Sequence, residues 1–153
     1  MLRDNVQQSR IPMKQDTNGI LLFLDNSRSK YISTSRENFT FGINHANLSN
    51  TMWLMATGGV RTITSGYKIP RNATITSVTI QSENIVTNAS FQILRNNTTI
   101  PPLTTAILLN QSSISVDNLD VDIDKDDWLQ CRLVPVVGNV DYPIVVLELA
   151  WRE

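Results

Sequence analysis

Asp122, Asp124, Asp126 and Asp127 have the best spacing for chemistry in this 153-residue chain. Carboxylates at alternate positions are what a calcium loop offers, because a hard cation takes several oxygen ligands from one short segment. The central Gly and the distal Glu that complete an EF-hand loop are missing from this segment. Alternation instead puts Asp120, Asp122 and Asp124 on one face of a strand, with Leu119, Val121 and Ile123 on the other. That is the pattern of a half-buried strand with solvated acids. The expectation is therefore no cofactor. Calcium at Asp122, Asp124 and Asp126 stands as the alternative, strengthened if a three-fold axis gathers three such faces.

Other catalytic arrangements lack parts. His45 is the only histidine and Cys131 the only cysteine, so one zinc ion cannot find four soft ligands. A nucleophile–base pair would have to use His45, which sits in the turn-like polar segment INHANLSN. Cys131 alternates with Leu129 and Leu133, the setting of a buried structural thiol. Paired carboxylates could serve glycoside hydrolysis, but the expectation is that this chain is not an enzyme. Among the aromatics, Trp128 and Trp151 lie in strongly apolar strands and are assigned to the core or an interface. Trp53 and Tyr142, near loop-like segments, are the candidates for facing a ligand such as a sugar.

The elements that must position these residues are strands. The chain carries 15 Asn, 15 Thr and 13 Ser, with only 18% charged residues. Thr suits pleated surfaces and Asn and Ser suit turns, so the composition describes many short strands joined by many turns. Helical spacing is scarce. A net charge of −1 makes the chain no obvious nucleic-acid binder. Residues 1–65 carry seven basic against four acidic groups and residues 66–153 six against ten, an asymmetry that could favour contact between copies. The apolar runs Ile20–Leu24 and Ile144–Leu147 are far below the roughly 20 residues of a membrane span. No apolar h-region opens the sequence, which implies cytoplasmic synthesis without export. The seven Asn-x-Ser/Thr sequons, at Asn38, Asn47, Asn72, Asn88, Asn96, Asn97 and Asn110, are then a by-product of polar β composition.

Along the chain, residues 1–27 read as an extended docking arm, with a short strand at Ile20–Leu24, and 28–65 as lead-in strands. Residues 66–153 read as an antiparallel β-sandwich domain of jelly-roll type. The candidate strands are 60–65, just before this domain, and 74–81, 89–95, 103–109, 113–116, 119–123, 127–134 and 143–151 within it. Asn96-Asn97 supplies the pair that a tight hairpin wants. In the last strand Val145, Leu147, Leu149 and Trp151 share one face, while the other is nearly as apolar, so this strand should be central or at a subunit contact. The 88 residues from Gly66 to Glu153 would bury only about 60–65% of their unfolded surface. Without a disulfide, self-association through Val145, Leu147, Leu149 and Trp151 is the expected remedy.

GYKIPRNATITSVTIQ resembles the opening of small β-sandwich domains in tailed-bacteriophage virion proteins, the fibre, spike and head-decoration subunits. The resemblance continues through FQILRNN, LDVDIDKDDWLQCRL and PIVVLELAW, with KYISTSRENFTFG similar to the family's lead-in segment. It covers residues 28–153, and Lys125-Asp126 stands where Gly-Asp is commoner. The resemblance implies a trimeric jelly-roll head related in shape to C1q and tumour-necrosis-factor domains. Such a head attaches through its N-terminal region to a capsid, collar or tail protein, so the expected location is the virion. A carbohydrate-binding adhesion module acting on a host glycan is the alternative.

Overall fold

A computed structural model describes residues 12–17, 19–56, 66–86, 88–103, 105–107 and 111–153. The strand in chain order are β1 (Met13–Gln15), β2 (Leu21–Asp25), β3 (Lys30–Gly42), β4 (Met52–Trp53), β5 (Met55–Ala56), β6 (Tyr67–Lys68) and β7 (Ala73–Val86). They continue with β8 (Asn88–Arg95), β9 (Thr98–Thr99), β10 (Thr105–Ile107), β11 (Gln111–Val116), β12 (Val121–Ile123), β13 (Trp128–Val137) and β14 (Ile144–Arg152). One turn of 3-10 helix covers Pro101–Leu103, and no described helix is long and apolar enough to cross a membrane.

All described pairings are antiparallel and form two sheets. The larger runs β1-β2-β3-β14-β7-β11, with β12 beside β7 and β5 beside β3; the smaller runs β10-β8-β13-β4, with β6 beside β13 and β9 beside β8. Numbering the eight principal strands β3, β4, β7, β8, β10, β11, β13 and β14 from one to eight gives sheets ordered 1-8-3-6 and 2-7-4-5. That is the jelly roll, in which each sheet alternates early and late strands so that no closing strand is left at an edge.

Alternation fills the space between the sheets. Val145, Leu147 and Leu149 of β14, Ala73, Ile75, Val78 and Ile80 of β7, and Phe91 and Ile93 of β8 are all 0% exposed and join one apolar cluster with Leu129, Cys131 and Leu133 of β13. β7 breaks strict period two between Ile75 and Val78. The register against β14 slips between Glu148 and Leu149, so Thr76 and Ser77 together oppose Glu148. This bulge keeps both apolar residues inward. The Thr76 hydroxyl donates to Glu148 Oε1 at 2.5 Å, which satisfies the side chain displaced by the slip.

Three expectations are corrected by this architecture. Val145, Leu147, Leu149 and Trp151 cannot be the surface that meets a second copy, since they are 0, 0, 0 and 7% exposed within a single chain. The folding unit is also larger than the 88 residues from Gly66 to Glu153. β3 pairs with β14 from Ile144↔Gly42 to Arg152↔Ile32, so the segment read as lead-in is a central strand of the same sandwich. Finally, the segment assigned to an arm contributes β1 and β2, paired Met13↔Phe23 to Gln15↔Leu21 at the edge of the larger sheet. A unit running from residue 12 to 152 buries a larger fraction of its surface than its second half alone.

Other boundaries shift by smaller amounts. The two segments read as 30–34 and 38–43 are one strand, β3, and the strand expected over 103–109 is β10 preceded by the 3-10 turn. Residues 1–11 and the strand expected over 60–65 lie outside the described residues. Asn96 and Asn97 take φ of 50° and 66° between β8 and β9, the left-handed pair of a tight hairpin.

Candidate binding surface

At the end of the sandwich where β12 meets β7, the aspartates singled out above face cations of the same chain. Lys30 Nζ lies 2.5 Å from Asp120 Oδ1 and 2.6 Å from Asp122 Oδ1. Asp122 Oδ1 also accepts from the Thr74 hydroxyl at 2.7 Å, and Arg152 Nε stands 3.4 Å away. Partial burial works against ionisation of Asp122, but Lys30 and the Thr74 hydroxyl outweigh it and hold its carboxyl below the usual range. Asp124 pairs with the Arg152 guanidinium, and Asp126 with Lys68 Nζ at 3.0 Å. Asp127 is structural: its Oδ2 accepts the Asp124 N–H at 3.0 Å and its Oδ1 the Asn96 amide at 2.6 Å.

The calcium candidates thus point at different partners instead of converging. Asp122 faces Lys30, Asp124 faces Arg152 and Asp126 faces Lys68. Among the described residues no three His, Cys, Asp or Glu side chains form a group that could hold a metal ion. The ladder serves to join distant segments. Arg28, in the β2–β3 turn, bonds Asp25 Oδ2 at 2.6 Å and donates through Nε and Nη2 to the Leu119 carbonyl at 3.2 and 2.9 Å. Asp25 is held down to about 2 by the Ser27 hydroxyl first, and also by Arg28 and two backbone N–H groups, despite its partial burial.

The other residues singled out from sequence are scattered. Cys131 is 1% exposed and burial pushes its thiol far up, so it carries no thiolate. His45 is exposed, with Nδ1 2.5 Å from the adjacent Ala46 carbonyl, and it faces no nucleophile among the described residues. Trp53 is half-buried, with the Arg132 guanidinium 5.5 Å from its ring centre and held by Gln92. Tyr142 is 41% exposed at a left-handed φ of 47°, on a loop whose N–H bonds the His45 carbonyl at 3.0 Å. Trp53 lies on a strand paired to β13, whereas Tyr142 lies in the loop that precedes β14.

A concave site does exist, and sequence spacing did not point to it. Two hollows of about 320 and 430 Å3 meet at Pro70, Arg71 and Trp151, which line both. The register Trp151↔Ala73 brings the end of β14 beside the start of β7. Asn72 then fixes the surroundings: its Oδ1 accepts the Lys125 N–H at 2.9 Å and its carbonyl the Arg152 N–H at 3.0 Å. The Trp151 ring is held from two sides, its backbone N–H donating to Ser33 Oγ at 3.0 Å and its indole N–H to Glu37 Oε1 at 2.7 Å. The Arg71 guanidinium lies 6.0 Å from the Trp151 ring centre, within reach of the ring's quadrupole.

No protein-family model matches this chain. No curated protein matches it. Among solved structures, the chain is similar to the PRD1 vertex protein P5, with a TM-score of 0.47 and 10% identity over 92% of this chain and 86% of that one.

Proposed function

We propose that this chain is a structural, non-enzymatic subunit of a bacteriophage particle. The observation that carries the reading is the jelly roll itself, ordered 1-8-3-6 and 2-7-4-5, whose interior is filled with apolar side chains. Double-sheet jelly rolls are the architecture of viral capsid and lectin domains, and fold alone permits both. The resemblance of residues 28–153 to tailed-phage fibre, spike and decoration subunits favours the particle. The chemistry is consistent with a scaffold: the thiol is buried, the histidine is bonded to its own loop, and the aspartates are engaged by lysines and arginines.

In this reading the sandwich assembles as a homotrimer outside the particle, and residues 1–11, which precede β1, engage a capsid, collar or tail protein. Truncation before Pro12 leaves both strands of the edge hairpin in place. The truncated chain should keep the melting temperature of the full chain and yet fail to enter particles. Incorporation at the level of the full chain would overturn the docking role. Light scattering at a monomer's mass across micromolar concentrations would overturn the trimer.

A further inference from the structure

We propose that the groove at Arg71, Lys125 and Trp151 is a binding site for an acidic saccharide, a sugar unit that carries a carboxylate. The proposal stands apart from the particle reading, since the groove belongs to one chain wherever that chain is placed.

The charges around the groove are unequally satisfied. Of its acids, Glu153 pairs with Lys14, Glu37 accepts the Trp151 indole N–H at 2.7 Å, and Asp16 Oδ1 accepts the Ile20 N–H at 2.7 Å. Arg152 is bound by Asp124 and stands 3.4 Å from Asp122. Arg71 and Lys125 differ. Among the described residues neither side chain has a hydrogen-bond acceptor or a carboxylate in ion-pair range, and Lys125 acts on Asp126 only through its field. Asn72 fixes the Lys125 backbone beside Arg71, and two cations lining one cavity without counter-ions among the described residues form a site for an anion. The guanidinium's planar fork suits a carboxylate in particular.

The walls select a sugar from among carboxylates. The Pro70 pyrrolidine gives both hollows apolar surface that a pyranose can cover with its C–H face, and the buried Trp151 ring backs the Arg71 guanidinium. The Thr17 hydroxyl lines the first hollow and the Ser35 hydroxyl the second, and each can donate or accept with sugar hydroxyls. Each hollow lies in the range of about 300–1,000 Å3 typical of small-molecule sites. Two such hollows sharing one Arg–Trp wall suit consecutive units of an oligosaccharide.

The test is calorimetric titration of the full chain with four probes: a tetragalacturonate, the neutral maltotetraose, acetate and a tetraglutamate peptide. The expected result is binding of the tetragalacturonate at least about tenfold tighter than the other three. The NMR resonance of the Trp151 indole N–H should shift on the same titration. Arg71→Ala should weaken binding by about tenfold or more, and Lys125→Ala by a smaller factor. Lys125 is exposed, so its variant keeps the fold and remains informative if Arg71→Ala does not. Equal binding of maltotetraose or of the peptide would overturn the proposal. So would unchanged affinity in the Lys125→Ala variant, or an unmoved Trp151 resonance.

Discussion

Arg71 and Arg152 line the same groove with the same side chain, yet the fold uses them in opposite ways. Arg152 is saturated: its guanidinium bonds Asp124, approaches Asp122 at 3.4 Å and donates from Nε to the Ala73 carbonyl at 3.1 Å. Among the described residues Arg71 has only the face of Trp151 as a partner, 6.0 Å from the ring centre. One arginine closes the seam between β14, β7 and β12, and the other, half-buried, meets no carboxylate among the described residues. The contrast shows that charge in this protein is sorted by task. The ladder of Lys30, Asp120, Asp122 and Arg152 ties segments together, whereas Arg71 and Lys125 meet no carboxylate in ion-pair range among the described residues.

This contrast can be broken by experiment. Arg152→Ala should have the largest effect on stability, about 2 kcal/mol in denaturant unfolding, because a mostly buried guanidinium leaves Asp124 and the Ala73 carbonyl without their donors. A variant as stable as the wild type would mean that the ladder joins nothing. Lys30→Ala should cost about 1 kcal/mol, shrinking as salt is raised, since its two carboxylates are nearly half exposed. Acid titration of unfolding should show a further component from Asp25. Its folded value of about 2 lies below the ordinary 3.8, so its contribution is present above about pH 4 and lost as the pH falls toward 2. Asp25→Asn should remove that part of the acid limb, and an unaltered limb would place the effect elsewhere. Arg71→Ala should have the smallest effect on stability, within about 1 kcal/mol, the worth of one cation–π contact at 6.0 Å. A larger loss would make Arg71 a second structural arginine and erase the distinction.

The same sorting explains which sequence readings held. Alternation in β13 and β14 was legible because burial on one sheet face imposes period two directly on residue type. The central position of β14, between β3 and β7, was legible from its two apolar faces. The hairpin at Asn96-Asn97 was legible from local backbone preference. Three features were not. The apolar face of β14 meets its own small sheet and not another copy, and burial in either setting demands the same residues. The aspartates of β12 look like ligands in one dimension, but their partners Lys30 and Arg152 come from about 90 residues before and 30 residues after. Arg71 and Trp151 are 80 residues apart, and only the register of β14 on β7 makes them neighbours.

By itself the sequence therefore determined that this is an all-β sandwich and which strand positions face inward. Those properties follow from local rules, the period of a strand and the conformations of turn residues, which act on neighbours along the chain. Only the tertiary structure decided that the N-terminal hairpin belongs to the large sheet, that Asp122 and Asp124 are ion-paired, and that Arg71 stands over Trp151. Each of these depends on which strands pair and in what register. A jelly roll sets both by closing nonlocal loops, and residue spacing does not record them.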